Sequence, residues 1–394
     1  MEERMAFDMS LVQRGARLRR SPFYEAEQEY GPKGYTVYNH MLFPTNFDDF
    51  EAEYWHLLNH VTLWDVAVER NLEVQGRDGF RFAQLLTPRD LSKCAVGQGK
   101  YVLLTAPDGG IVNDPVMLRL GENHFWFALA SSDALLYAMG LAARLGWDVQ
   151  LGEPDVSPLQ VQGPHSSDVL ASLFGPDILS LKYYWFRELT LDGIPVVVTR
   201  TGWTAEVGYE IYLRDGQYGT ALWERIMEAG RPYQIRPTGP SDIRRVEGGI
   251  LNWGADMGLE HNPFEVGLER LCQLDGDFEF MGKEALQRVR AEGIRRKLVG
   301  VEIGGERLEM NFTKWPVTTD SAPVGQVTTA LWSPRLERNI GYAWLPVDRA
   351  ADGSQVMVTT PGGEREATVV PMPFIDPDKA IPKAKVAAGE VGPR

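Results

Sequence analysis

The hydrophobic pattern of this chain changes near residue 295, and that break constrains the architecture more than any other feature. Upstream, apolar residues recur with both helical and strand spacing. Downstream the helical period disappears, and 297–303, 324–332, 339–345, 355–360 and 367–370 read as successive strands with turn residues between them. The pattern predicts a mixed helix and strand region followed by a small all-β domain. A length of 394 residues agrees, being enough for about two or three domains.

Four helices are predicted upstream. Residues 47–61 place apolar side chains on one helical face, with Asp48 and Asp49 in the first turn. Asp133 opens a second helix that stops near Gly146, a glycine suited to a C-cap. A third runs from 166–168 to Gly175, and a fourth from Tyr218 to Ala229, stopping at Gly230. Alternation at Leu72, Glu73 and Val74 predicts a strand. Runs 101–105 and 111–118 flank Pro107-Asp108-Gly109-Gly110, a hairpin-type connection. Residues 194–201 and 209–214 read as a second hairpin around the loop 204–208. The last 20 residues, rich in Pro, Lys and Ala, are expected to lack fixed structure.

The formal net charge of -14 argues against nucleic acid or a membrane surface as partner, since both are anionic. No apolar run approaches the length of about 20 residues that spans a bilayer, and the first residues lack a signal-peptide pattern. Cys94 and Cys272 form no CxxC or zinc spacing and read as reduced thiols. A cytoplasmic protein is expected. No metal site is expected either: His56 and His60 sit four apart, but no glutamate follows His56 and no third ligand is near. The glycine-rich phosphate loops and the serine-hydrolase elbow are missing from the sequence.

Two segments carry chemistry. Asp114 lies inside an apolar strand signal after the Gly109-Gly110 hairpin, where an unpaired buried carboxylate costs free energy. It reads either as a satisfied structural aspartate or as a working group. In 209–213 alternate side chains share a face, so Glu210 and Tyr212 point together, and Tyr209, Ile211 and Leu213 point the other way. The polar face is either solvated or offers a carboxylate beside a phenol, with Trp203 able to close over it.

These segments belong to a longer series. PDGGIVND (107–114), TGWTAEVGYEIY (201–212), RRVEGGI (244–250), NPFEVGLE (262–269), FMGKEAL (280–286) and SPRLERNIGYAWL (333–345) resemble, in order, the signature segments of the aminomethyltransferase, or T-protein, family. YTVYNHMLFP (35–44) and LWDVAVER (63–70) are similar in particular to its dimethylsulfoniopropionate demethylase branch. Where the ordinary T-protein has a Ser-His pair after its Asp-Val, this chain has Ala67-Val68-Glu69-Arg70.

The resemblance implies an α+β fold, a three-domain cloverleaf with a C-terminal β-barrel. The expected parts are a discontinuous folate-binding domain (1–60 plus 150–260), an inserted ferredoxin-like domain (61–149), a connecting segment (261–294), the barrel (295–378) and an unstructured tail (379–394). It also implies tetrahydrofolate as cofactor and a small-molecule methyl donor as partner, and leaves a homodimer open. By position, Asp114 is the expected catalytic residue. Glu210, Tyr101, Trp203, Tyr212 and Arg245 are expected at the folate. Tyr38, Trp203, Tyr212 and Trp185 are expected at the donor.

The implied activity is methyl transfer from a sulfonium donor to N5 of tetrahydrofolate, giving 5-methyltetrahydrofolate and methylmercaptopropionate. Its alternatives are transfer from a methoxyaromatic, a betaine or an aminomethyl-lipoyl carrier, and a non-catalytic folate-binding role. The folate-binding iron–sulfur assembly factor of the same superfamily carries a KGCYxGQE-like segment; here the stretch reads Phe280-Met281-Gly282-Lys283-Glu284, without cysteine. Donor identity rests on pocket shape, which one or two side chains can change.

Overall fold

The helix expected at 47–61 forms at Phe50–Asn59, and Asp49 accounts for where it starts. The Asp49 carboxylate accepts from the N–H groups of Glu51 at 2.9 Å and Ala52 at 3.2 Å, two donors that a first turn otherwise leaves free. The computed structural model describes residues 18–319 and 322–384. The other three expected helices lie at Ala134–Leu145, Ser166–Phe174 and Gly219–Gly230, and Gly146 ends its helix in the left-handed region at φ 65°.

Three units each have their own apolar core. The largest sheet has six strands in the order Phe186–Leu191, Ile194–Thr199, Gly208–Leu213, Ser157–Gln162, Thr62–Asp65 and Arg236–Pro237. Leu63, Val161, Ile211 and Leu222 are among the side chains of its core. The second sheet is antiparallel, ordered Gln150–Gly152, Asn71–Gln75, His124–Ala128, Val116–Gly121 and Gly99–Tyr101. Gly79–Leu86 and Ala134–Leu145 connect its strands as in a ferredoxin-like unit, with Gly99–Tyr101 as an added edge. The third unit is a closed six-stranded barrel in which Gly363–Val370 pairs back onto Arg296–Ile303, leaving no open edge. Its strand Trp315–Thr319 was not expected, because Pro316 interrupts the strand signal.

The chain leaves the largest sheet at Asp65 and returns at Ser157, and the two strands lie side by side with Leu159 opposite Asp65. Residues 62–65 therefore sit in the largest sheet, beyond the boundary expected at 61, and Gln150–Gly152 sits in the inserted one. Arg70 and Glu153 tie the two crossings together through a bond of 2.8 Å. The three units meet in two apolar seams. Leu118 and Trp126 pack against Val197 and Tyr212 in one. Leu103 and Ile111 join Val246, Leu331 and Tyr342 in the other.

The tail departs from expectation where it is described. Ala380–Lys383 forms a short helix, and the Asp376 carboxylate accepts from the N–H groups of Ala380 and Ile381, both at 2.8 Å. Buried Arg200 donates to the Ala384 carbonyl. Residues 385–394 lie outside the described residues. No helix among the described residues is long and apolar enough to cross a membrane.

One buried acid pair gives the fold a pH dependence. Glu27 is 1% exposed; Tyr35 donates to one of its oxygens at 3.1 Å, and once protonated Glu27 also hydrogen-bonds the Asp65 carboxylate. Burial, and then the charge of Asp65, push its carboxyl up to about 9. The folded state thus holds a proton that the unfolded chain gives up near 4.5. This contribution to stability is complete below 4.5 and is lost as pH rises through about 9. Glu27→Gln is neutral throughout and is expected to raise the melting midpoint in the upper part of that window while changing little at its acidic end. Scanning calorimetry at both ends measures this, and equal midpoint shifts at the two ends would contradict it.

Candidate functional site

Glu210 stands in the Gly208–Leu213 strand with Thr199 opposite it on one neighbouring strand and Gln160 opposite on the other. It is 3% exposed, so its face is not a solvated one. Gln160 donates to Oε1 at 2.9 Å, and the hydroxyls of Thr201, Tyr212 and Thr199 donate to Oε2 at 2.6, 3.0 and 3.3 Å. Burial raises this carboxyl, and the four donors act against that rise. Tyr212 shares the face of Glu210, as alternation requires. Its ring is fully buried and stacked against Trp126 in the seam, with centroids 6.5 Å apart, so it meets the site through its hydroxyl alone.

The loop before this strand is set by a buried amide. Gln162 donates to the carbonyls of Thr201 at 3.2 Å and Tyr209 at 3.3 Å and accepts from the Thr204 hydroxyl at 2.7 Å. A Cβ on Gly202 or on Gly208 would stand 2.2 Å from the Gln162 Oε1. A side chain at either glycine would therefore displace the Gln162 amide from its three hydrogen bonds. The loop presents Trp203, whose partly buried ring packs on the cluster of Leu57, Trp64 and Val66 and whose backbone N–H donates to Gln160 Oε1 at 3.4 Å.

Asp114 lies where the second sheet breaks, between Ile111–Asn113 and Val116–Gly121. Buried Asn113 fixes the break: its amide donates to the Ala130 carbonyl at 3.0 Å and the Ser132 hydroxyl at 2.7 Å. The Asp114 carboxylate accepts from the Tyr101 hydroxyl at 2.9 Å and keeps part of its surface exposed. Surrounding protein nevertheless strips it of water, and this burial pushes its carboxyl up to about 7; the Tyr101 bond pulls the other way and the charge of Asp256 adds to the rise.

The N-terminal segment reaches the same place. Gly34–Tyr38 and Met41–Asn46 form a hairpin whose turn residues, Asn39 and His40, take φ 47° and 62°. The Asn39 amide donates to the carbonyls of Val68 at 2.9 Å, Leu129 at 3.2 Å and Ala130 at 3.3 Å. Tyr38 is thereby held beside Glu69, Ser131 and Asp114. Burial raises its hydroxyl pKa, and the charges of Glu69 and Asp114 raise it further. Glu69 was not expected here. Its carboxyl lies well above the usual range through burial, then through the charges of Glu210 and Asp114.

Trp185 and Arg245 are placed differently from expectation. Tyr184 takes φ 63°, which breaks alternation in the run 183–186. Trp185 consequently packs on the core of the largest sheet with the Lys182 ammonium 5.9 Å from its ring, and Tyr184 is the one beside Glu210 and Tyr101. Arg245 is 2% exposed. It donates to Asp242 at 2.6 Å, Asp256 at 2.7 Å, the Ile250 carbonyl at 3.3 Å and the Thr329 hydroxyl at 3.2 Å. Its guanidinium lies 5.5 Å from the Trp203 ring centre. It ties the short helix Asp242–Glu247 to Asp256 and to Thr329 of the barrel, and the Asp256 charge reaches Asp114.

The site thus draws Glu210, Trp203 and Tyr184 from the largest sheet, Asp114 and Tyr101 from the inserted unit, and Glu69 and Tyr38 from the segments between. Gln160 and Asp256 support them. Residues 8–276 match the GCVT N-terminal domain family, and 296–376 match the glycine cleavage T-protein C-terminal barrel domain. The chain belongs to the glycine cleavage T-protein family. With that family it is a tetrahydrofolate-dependent one-carbon transferase. A dimethylsulfoniopropionate demethylase of Ruegeria pomeroyi is 40% identical over 90% of this chain and 96% of its own length. An aminomethyltransferase of Thermoanaerobacter pseudethanolicus is 30% identical over 91% of this chain and 97% of its own. The glycine cleavage system aminomethyltransferase T structure from Bartonella henselae shares the fold, with a TM-score of 0.82, 23% identity and coverage of 91% and 98% of the two chains.

The residues present fit a pterin. Glu210 Oε1 accepts one bond and has capacity for a further N–H donor. Tyr101, Tyr184 and Trp203 are partly exposed aromatic rings suited to flank a planar ring system. Among the described residues no cluster of His, Cys, Asp and Glu could hold a metal ion.

Proposed function

We propose that this transferase demethylates a sulfonium donor, dimethylsulfoniopropionate, onto tetrahydrofolate. The observation that carries the reading is the charge of the site. Asp114, Glu210 and Glu69 converge, and aromatic side chains surround them. Arg245 is engaged with Asp242 and Asp256 and Arg89 with the Tyr101 carbonyl, and exposed Arg270 is a further cation within electrostatic reach of Tyr101. An aromatic-walled site with three carboxyl groups suits a cation, because ring faces attract positive charge and an entering cation favours ionisation of carboxyls that burial and, at Glu69 and Asp114, like charge otherwise keep protonated. The likeness to the Ruegeria demethylase supports the same reading.

Tetrahydrofolate supplies the nucleophile, the lone pair of its N5 nitrogen. The carbon–sulfur bond breaks with its electron pair staying on sulfur, so the thioether leaves neutral and needs no acid. Glu210 is suited to accept from the pterin N–H groups and fix its orientation. Trp203, Tyr38 and Tyr184 exclude water and hold the donor in line, and alignment of this kind can lower a barrier by roughly 7–11 kcal/mol at best. Asp114 faces the developing positive charge and is placed to take up the proton that must leave.

A panel of methyl donors with mass detection of the folate product tests the reading. The sulfonium is expected to give 5-methyltetrahydrofolate and methylmercaptopropionate, while betaine, dimethylglycine and methoxyaromatics give no product. A methylene product, or turnover of betaine in its place, would overturn it.

A further inference from the structure

Glu69 lies on the crossing between the largest sheet and the inserted one, in the segment where this chain departs from the Ser-His pair of the ordinary T-protein. Its backbone is fixed on both sides. Its N–H donates to the Val66 carbonyl at 2.9 Å, and the Asn71 amide donates to its carbonyl at 3.3 Å. Val68 is held by Asn39, and Arg70 is committed to Glu153. The Glu69 carboxylate has no hydrogen-bond or ion-pair partner among the described residues, although it is largely surrounded by protein. The side chains close enough to feel its charge are Asp114, Glu210, Tyr38 and Tyr212; none of these is a cation.

Desolvation and two neighbouring acids keep this carboxyl protonated in the ligand-free protein, so ionising it there costs free energy. A positive group entering beside Tyr38 and Asp114 makes the ionised form favourable and becomes its partner. Asp114 and Glu210 are each occupied, by the Tyr101 hydroxyl and by four donors respectively, whereas Glu69 is not. We infer that Glu69 is the specificity-determining counter-charge of the donor subsite, selecting a cationic methyl donor over a neutral one of the same shape. The inference rests on the sulfonium reading above and assigns the discrimination within it to one side chain.

Two measurements on the full chain separate the inference from that reading. Calorimetric binding compares dimethylsulfoniopropionate with 4-methylpentanoate, which replaces the sulfonium by an uncharged carbon of the same shape. Wild type is expected to prefer the sulfonium. In Glu69→Gln that preference is expected to fall by about tenfold or more, equivalent to about 1.4 kcal/mol, with tetrahydrofolate affinity retained. Glu69→Asp, which withdraws the charge by one methylene, is expected to fall between the two, and it carries the test should the glutamine variant fail to fold. An unchanged preference in both variants would overturn the inference while leaving sulfonium turnover standing. A wild type that prefers the sulfonium but does not demethylate it would sink the functional reading and leave Glu69 as a cation-binding residue.

Discussion

Asp114→Asn is expected to lower kcat by about 10²- to 10³-fold while changing tetrahydrofolate affinity only a few-fold. The loss is of the size seen when a preorganised group facing transition-state charge is removed. The substitution keeps shape, and an amide oxygen can still accept from the Tyr101 hydroxyl, which now does so at 2.9 Å. What disappears is the negative charge. The pH dependence supplies a second reading of the same residue. The carboxyl is raised to about 7, so it is protonated below that point and ionised above it. If the ionised form works, wild-type turnover falls about tenfold for each unit of pH well below 7, and this limb is missing from the asparagine variant. Equal losses of turnover and folate affinity, or an acid limb that survives the substitution, would remove Asp114 from the chemistry.

Arg245→Met is expected to cost about 3–5 kcal/mol of stability, read as a melting midpoint lower by several degrees. Arg245 and Asp256 are 2% and 1% exposed and pair at 2.7 Å. Removing the cation leaves Asp256 with the hydroxyls of Thr328 and Thr329 and the Asn252 N–H, but with no opposite charge. Replacing both partners, Arg245→Met with Asp256→Leu, is expected to recover part of the midpoint, because burying neither charge is cheaper than burying one. Calorimetry on the single and double variants decides. A single variant that melts with wild type would show that the pair contributes nothing.

Local pattern was legible wherever a segment's own period decided its structure. The five strands expected after residue 295 lie in the barrel, and alternation put Glu210 and Tyr212 on one face, where the hydroxyl of one now bonds the carboxylate of the other. Trp185 is expected at the donor from the resemblance, but a single positive φ at Tyr184 turns the backbone just before it, and nothing in an aromatic run announces that turn. Gln160 could be found only through strand register, which sets it opposite Glu210 from 50 residues away. Glu69 and Asp256 were hidden for a broader reason. Their neighbours come from separately cored units, and spacing along the chain carries no record of which units touch. Arg245 is expected at the folate from the resemblance of its segment; its partners Asp242, Asp256 and Thr329, which hold it buried beside Trp203, come from elements that spacing along the chain does not bring together.

The path of the backbone between Asp65 and Ser157 has a consequence for how such enzymes diversify. The two ends of that excursion adjoin each other on the largest sheet and are clamped by Arg70 and Glu153, and Val66, Ala67 and Val68 are buried in apolar clusters, so the backbone bearing Glu69 is anchored while the Glu69 side chain itself packs in no core. The side chain at 69 can be exchanged with little penalty to folding, while Glu210 stays fixed by the strands on either side of it. Preference for the one-carbon source is therefore free to evolve separately from recognition of its acceptor.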